Sequence, residues 1–332
     1  MEHLTRVGLV GVGRQGAEIA EYLIRAGYQL TGAVAGGANI GRPLVELVPT
    51  APSDIVICGT IDELLASGVP DIVVHSASTD VPTTIAQAAQ LMGRGVNFVT
   101  IHEGLFDPDP VATDELDRLG RSTGASFLST GVQDTWWVHL PELLTGSSVN
   151  VREISIVALI DADTLPRVVG THLGIGLTAE QFVDQVAADL ESSDSVLEVP
   201  LREAARRLGL ELRSTTKSSE PVFGREDVEW TAGGEIVPAG RVFGATQFLT
   251  IETTAGIVLS GQLSTRLLHG GEEAGDDYTV RGDPDLSVHV APFPGAQVAS
   301  AVPVARIPDV IAAPGGVLRA SSLPVARFRT GL

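Results

Sequence analysis

The chain reads as an α/β protein: a doubly wound parallel sheet followed by a second α+β domain built on a mostly antiparallel open sheet. Three observations predict this. Through the first 131 residues, apolar runs of strand length alternate with amphipathic helical runs, the pattern of a parallel sheet with crossover helices. The first two runs are joined by glycines in Gly-x-Gly-x-x-Gly spacing: Gly11, Gly13 and Gly16. Beyond Gly131 the alternation gives way to long strands of alternating polarity divided by Gly-rich turns, as in an antiparallel sheet with one polar face.

Taken in order, Val7, Leu9 and Val10 form a run apolar enough to be buried on both faces of a sheet. After the glycine turn, Ile19, Ala20, Leu23 and Ile24 repeat at helical spacing until Gly27 stops the helix. Each glycine has a task. The first permits the bend, the second lets backbone approach a pyrophosphate, and the third lets the helix lie close on the strand. The helix N-terminus favours an anion through its unpaired N–H groups and dipole. A Rossmann-type dinucleotide site is therefore expected, with Gly11, Gly13, Arg14, Gln15 and Gly16 at the cofactor. Tyr28–Val34 is the second strand. NAD-binding versions of this fold place an acid near its end, on the ribose 2′-hydroxyl. Here Ala35-Gly36-Gly37-Ala38-Asn39 stands instead, with no carboxylate until Glu46, and Arg42 is near enough to receive a 2′-phosphate. The cofactor is NADP or NAD, with a lean toward NADP; the alternative for Arg42 is a surface loop position.

Residues 55–58 and 71–77 read as the third and fourth strands, with a short helix over 61–66 between them. The loop Ser76-Ala77-Ser78-Thr79 at the carboxyl edge borders a cofactor ribose or simply turns the chain. A helix over 82–92, a strand over 96–101, a helix over 111–123 and a strand over 126–129 complete the domain. In the second domain, 134–144, 179–190 and 201–208 read as helices, and 152–160, 242–253, 256–267 and 278–290 as strands. Residues 295–313 form an apolar helix expected to return to the first domain. The expected domains are thus 1–131, 132–294 and a C-terminal segment 295–332.

Composition narrows the function classes. The 332 residues are 44% hydrophobic and 19% charged, with a net charge of −19. That is a soluble globular composition, and the charge disfavours nucleic acid or an anionic membrane as partner. The one cysteine, Cys58, sits in an apolar run and reads as a buried bystander, which fits a reducing cytoplasm. The opening MEHLTR is too short and polar for a signal peptide, and no apolar run reaches membrane-spanning length. The acidic group Glu272, Glu273, Asp276, Asp277 lies among glycines and reads as a solvated turn, so no metal is expected.

Chemistry is expected at the carboxyl edge. The fifth strand ends in Thr100-Ile101-His102-Glu103-Gly104-Leu105, where a loop reaches the nicotinamide end of a cofactor. Glu103, among apolar neighbours, has its pKa raised by burial and suits proton exchange; otherwise it caps a turn or pairs with an arginine. His102 points to the other face and ranks second. After Gly131 come Gln133, Asp134, Thr135, Trp136 and Trp137. One tryptophan is expected to wall a substrate pocket and the other to enter the core, and Asp134 or Thr135 to cap the following helix. His172, in Gly-Thr-His-Leu-Gly, is a loop histidine, exposed or at the pocket, the latter favoured by its place early in the second domain.

The glycine turn, Val96-Asn97-Phe98-Val99-Thr100 running to Glu103, Thr130-Gly131-Val132 with Leu140-Pro141-Glu142-Leu143-Leu144-Thr145-Gly146, and Ile307-Pro308 through Pro314-Gly315 together resemble a family. It is the dihydrodipicolinate reductase-like group that contains 2,4-diaminopentanoate dehydrogenases and native amine dehydrogenases. The resemblance implies a Rossmann domain, a second α/β domain that forms a homodimer, and NAD(P)-linked interconversion of amines with carbonyl compounds and ammonia. It also implies that Glu103 handles ammonia and the iminium. One departure is visible: the family often has Asn-Pro-Gly-Phe where this chain has Gln133-Asp134-Thr135-Trp136, which alters the pocket wall. Paired tryptophans and few charges near Glu103 favour a neutral or hydrophobic carbonyl. The common Glu-Lys-Pro of sugar-oxidising relatives is missing at the fifth strand. That weighs against a carbonyl or sugar dehydrogenase, which stays an alternative, while the altered loop at Gln133 keeps open a cofactor-binding sensor without turnover.

Overall fold

The computed structural model describes residues 4–77, 80–192 and 196–329. The chain divides into two units, one of residues 1–135 with 294–332 and one of residues 136–293.

The first unit opens with strand β1 (Arg6–Val10), helix α1 (Arg14–Arg25), strand β2 (Gln29–Val34) and a two-residue strand β3 (Ile57–Cys58). Helix α2 (Ile61–Ser67), strand β4 (Ile72–His75), helix α3 (Val81–Met92), strand β5 (Asn97–Thr100), helix α4 (Pro110–Thr123) and strand β6 (Ser126–Ser129) follow. The strands pair in the order β3-β2-β1-β4-β5-β6, all parallel. This is the doubly wound order whose ligand crevice opens where the order reverses, beside β1. Caps fix the helix starts: Thr60 accepts from Glu63 N–H, Asp80 from Thr83 N–H and Asp109 from Val111 N–H. Both faces of the sheet are covered. Val7, Leu9, Ile72, Val74, Val99 and Leu128 point to one side and Val10, Val73, Phe98 and Phe127 to the other.

In the second unit, helix α5 (Leu140–Thr145) leads to strand β7 (Val149–Asp161) and short helices α6 (Arg167–His172), α7 (Ala179–Phe182) and α8 (Ala188–Ser192). Helix α9 (Glu198–Arg207) precedes strands β8 (Leu212–Phe223), β9 (Val228–Trp230), β10 (Glu235–Val237), β11 (Val242–Thr253), β12 (Val258–Arg266), β13 (Gly275–Asp283) and β14 (Leu286–Val290). Six of these strands form one sheet in the order β14-β13-β7-β12-β11-β8. Only β7 and β12 pair in parallel, so the sheet is mostly antiparallel. Residues 278–290, expected as one strand, are a hairpin instead, because Pro284 offers no N–H to a ladder. The 12-residue strand β8 was not foreseen: LRSTTKSSEPVF lacks the apolar members that mark a strand, since it lies at the sheet edge and is largely exposed.

The chain then returns to the first unit. Helix α10 (Gly295–Ile311) packs on α1 and on β4, β5 and β6 through Val304, Ile307 and Val310. The unforeseen strand β15 (Gly316–Leu318) adds in parallel beside β6. Cys58 is partly rather than fully buried, and desolvation pushes its thiol up, away from the reactive thiolate.

Candidate active site

The site begins with the glycines. Gly11 has φ +96°, and a Cβ there would meet the backbone N of Ala77 at 2.5 Å, so only glycine fits. A Cβ at Gly16 would lie 2.0 Å from the Gly11 carbonyl oxygen, which explains how closely α1 approaches the turn. Gly13 differs: nothing stands within 4 Å of its Cβ position. That open side is what a pyrophosphate needs in order to reach backbone N–H groups. Ser76 locks the turn to the end of β4 by donating its hydroxyl to the Gly11 carbonyl at 3.1 Å.

A cleft of about 470 Å³ lies over this turn, bordered by Gly11, Gly13, Asn39, Ser76, Ala77 and Gln87 among others. Its size is that of a small-molecule or cofactor site. The open Gly13, the Gly11 cradle and the exposed start of α1 fit a dinucleotide. Arg14 is exposed and Gln15 partly buried at that helix start. Ser78 and Thr79 lie outside the described residues. Arg42 is already engaged by neighbouring side chains. It donates to Glu46 at 3.0 Å and to Asn39 at 3.3 Å, so the first downstream carboxylate already partners the guanidinium proposed for a 2′-phosphate. Asn39 nevertheless connects it to the cleft wall.

Two strands along the same edge, β5 ends at Thr100 and presents His102 and Glu103. Leu105 and Phe106, which follow in sequence, are buried, and the Ser129 hydroxyl donates to the His102 carbonyl at 2.9 Å. Glu103 is an exposed residue, yet desolvation of its carboxyl by the surrounding protein raises it above the usual carboxylate range. A carboxyl can meet water on one side while protein displaces bulk solvent on the others. Against this, the Gln133 side chain hydrogen-bonds the carboxylate and His102 adds a favourable field, both drawing the pKa back down. Gln133 itself is buried. The residue that departs from the expected loop is therefore the partner of the candidate acid.

The same segment corrects other expectations. Residues 133–139 wind as π-helical turns before α5. Asp134 does not cap a helix. Wholly buried, it accepts from Thr130 at 2.7 Å and takes a bidentate contact from Arg306 of α10 at 2.7 and 2.5 Å. Trp137 is core rather than pocket: it is buried, and its indole N–H donates to Asp276 at 3.0 Å. Trp136 is the half-buried member, packed edge-on against Phe293 and tilted against Tyr278. Asp276 is accordingly no solvated turn residue; burial raises its carboxyl, and Tyr278 also donates to it at 2.7 Å. Glu272 is held well down, to about 2, chiefly by hydrogen bonds from Arg266. His172 closes helix α6 instead of lying in a loop, and is exposed.

Sequence reasoning missed His75, the last residue of β4. It is fully buried, tilted against Phe98 and 3.0 Å from the Thr100 hydroxyl through Nδ1. Burial pushes its pKa down to about 4, so the ring is neutral. A histidine closing an apolar strand looks like core, and only the strand pairing reveals its neighbours.

Known proteins resemble this chain over most of its length. A family model for the 2,4-diaminopentanoate dehydrogenase C-terminal domain matches residues 139–331. The 2,4-diaminopentanoate dehydrogenase of Acetoanaerobium sticklandii is 24% identical over 98% of this chain and 95% of its own length. Among solved structures, an amine dehydrogenase from Mycobacterium smegmatis superposes with a TM-score of 0.86 at 28% identity, covering 99% of this chain and 98% of that one. GenD2 from gentamicin A biosynthesis, solved in complex with NAD, shares the fold at a TM-score of 0.54 and 17% identity, covering 87% of this chain and 73% of that one.

Proposed function

The chain belongs to the 2,4-diaminopentanoate dehydrogenase family, and from that premise we propose that it is an NAD(P)-dependent amine dehydrogenase. It joins ammonia to a ketone or aldehyde reductively, or runs the reverse deamination. The observation that carries this reading is the Glu103 carboxyl: raised by desolvation, held by Gln133, and set on the sheet edge that bears the glycine cleft. When bound, the nicotinamide ring supplies or takes up the hydride.

The chain's own residues do the rest. The open backbone at Gly13 and the start of α1 anchor the pyrophosphate. Glu103 takes a proton from ammonium to free the attacking amine and returns it as water leaves the carbinolamine. As a carboxylate it also attracts the cationic iminium. Gln133 fixes the direction from which the carboxylate acts. Lysine chemistry of the sugar-oxidising kind has no candidate here: the chain's one lysine, Lys217, lies on β8 paired with Glu198 at 2.9 Å. Trp136 favours a neutral or hydrophobic carbonyl. A homodimer is supported by the six-stranded sheet, whose helices α5, α8 and α9 pack on β7, β8 and β12, while Val157 and Phe248 on other positions stay solvent-accessible.

The test is NAD(P)H oxidation across a panel of ketones and aldehydes with and without ammonia. Turnover is expected only when both are present. Glu103→Gln should lower kcat by about 10²–10⁴-fold, the usual contribution of a positioned acid–base group, with cofactor still bound. Equal turnover without ammonia would overturn the reading.

A further inference from the structure

Between the dinucleotide cleft and Glu103 runs a buried polar chain that the mechanism above does not use. Thr100 Oγ1 accepts the His102 backbone N–H at 3.1 Å. It also lies 3.0 Å from His75 Nδ1. The hydroxyl donates to Nδ1 or accepts from it according to the ring's tautomer. The Gln87 side chain interacts with His75 and borders the cleft. Nε2 of His75 and Oε1 of Gln87 are both buried and neither makes a well-directed hydrogen bond, so this end of the chain is the adjustable one. Phe98 holds the ring from the side, with centroids 5.4 Å apart.

We propose that His75 is a positioning residue: it ties the Gln87 wall of the dinucleotide cleft to the Thr100–His102 turn, and so sets where the Glu103 carboxyl stands when the cleft is filled. A neutral imidazole suits this because its two nitrogens accept and donate in fixed directions on opposite sides of one rigid ring. A buried polar group that is fully used in only one arrangement favours that arrangement strongly. The proposal rests on the dinucleotide and Glu103 readings given above.

Asparagine and glutamine divide the two functions of the ring. The amide of His75→Asn falls near Nδ1 and retains the link to Thr100, whereas that of His75→Gln falls near Nε2, on the Gln87 side, and loses that link. NAD(P)H affinity, read by fluorescence titration, and kcat per titrated site are measured for wild type, both variants and Thr100→Val. His75→Gln should lower kcat per site by about tenfold to a hundredfold, as expected when a reacting group is misplaced by about an ångström, with substrate KM little changed. His75→Asn should recover most of that rate but bind NAD(P)H several-fold more weakly. Thr100→Val should reproduce the glutamine loss, and the double variant should add nothing to it. Equal kcat per site in all variants, or equal losses in the Asn and Gln forms, would reduce His75 to packing and overturn the inference. Wild type that binds no NAD(P)H would instead defeat the reading beneath it, so the two failures are distinct.

Discussion

The Glu103 carboxyl is shaped by opposed influences, and its pH behaviour follows from their signs. Desolvation raises its pKa; the Gln133 hydrogen bond lowers it. A base works deprotonated, so activity is present above the Glu103 pKa and falls away as pH drops through it. Replacing Gln133 with leucine removes the larger of the two lowering influences and leaves that of His102. The acid limb of the kcat/KM profile should therefore move to higher pH, and a shift to lower pH would contradict the assignment. The glycines separate folding from binding in the same way. Gly13→Ala meets no atom within 4 Å, so the variant should melt like wild type while losing most of its NAD(P)H affinity. Gly11→Ala should lower the melting temperature as well, because its Cβ would collide with Ala77 and its φ is positive. Arg42 was legible as a cation near the cleft, but not its engagement by Glu46, which a reading of the strand end alone cannot supply.

At the scale of elements, Asp134 is held by a buried ion pair and does not serve as a cap. Arg306 reaches Asp134 from α10 with both residues wholly buried, and also contacts Asp309 at 3.1 Å. Removing one member of such a pair strands the other charge. Asp134→Ala is expected to cost about 3–5 kcal/mol by the usual penalty for breaking a buried pair, read as a loss of thermal stability; a cost below about 1 kcal/mol, the range of surface pairs, would show the pair to be solvated. This contact spans 172 residues of sequence, so local spacing favoured the capping role that Asp commonly plays. The parallel strands were legible because both faces are buried and their apolar runs are nearly unbroken, as in Ile72–Val74. Strand β8 was not, because an edge strand needs no apolar face. The hairpin at Pro284 hid inside a continuous alternating pattern, which a reversal of direction leaves intact.

For the whole molecule, the glycine turn and the acid after β5 were readable at the level of fold and position, since both occupy fixed places on a doubly wound sheet. The surroundings of Trp136 were not, because its ring contacts with Tyr278 of β13 and with Phe293 join segments distant in sequence. Central to the proposed function is a single carboxyl that manages nitrogen beside a bound nicotinamide ring. Its most direct test is the rate of NAD(P)H oxidation in saturating carbonyl compound as ammonia is titrated, for wild type and Glu103→Gln at equal cofactor occupancy. The rate should rise from near zero to saturation in wild type and stay near the floor throughout in the variant. A rate independent of ammonia, or a variant that follows the wild-type curve, would contradict it.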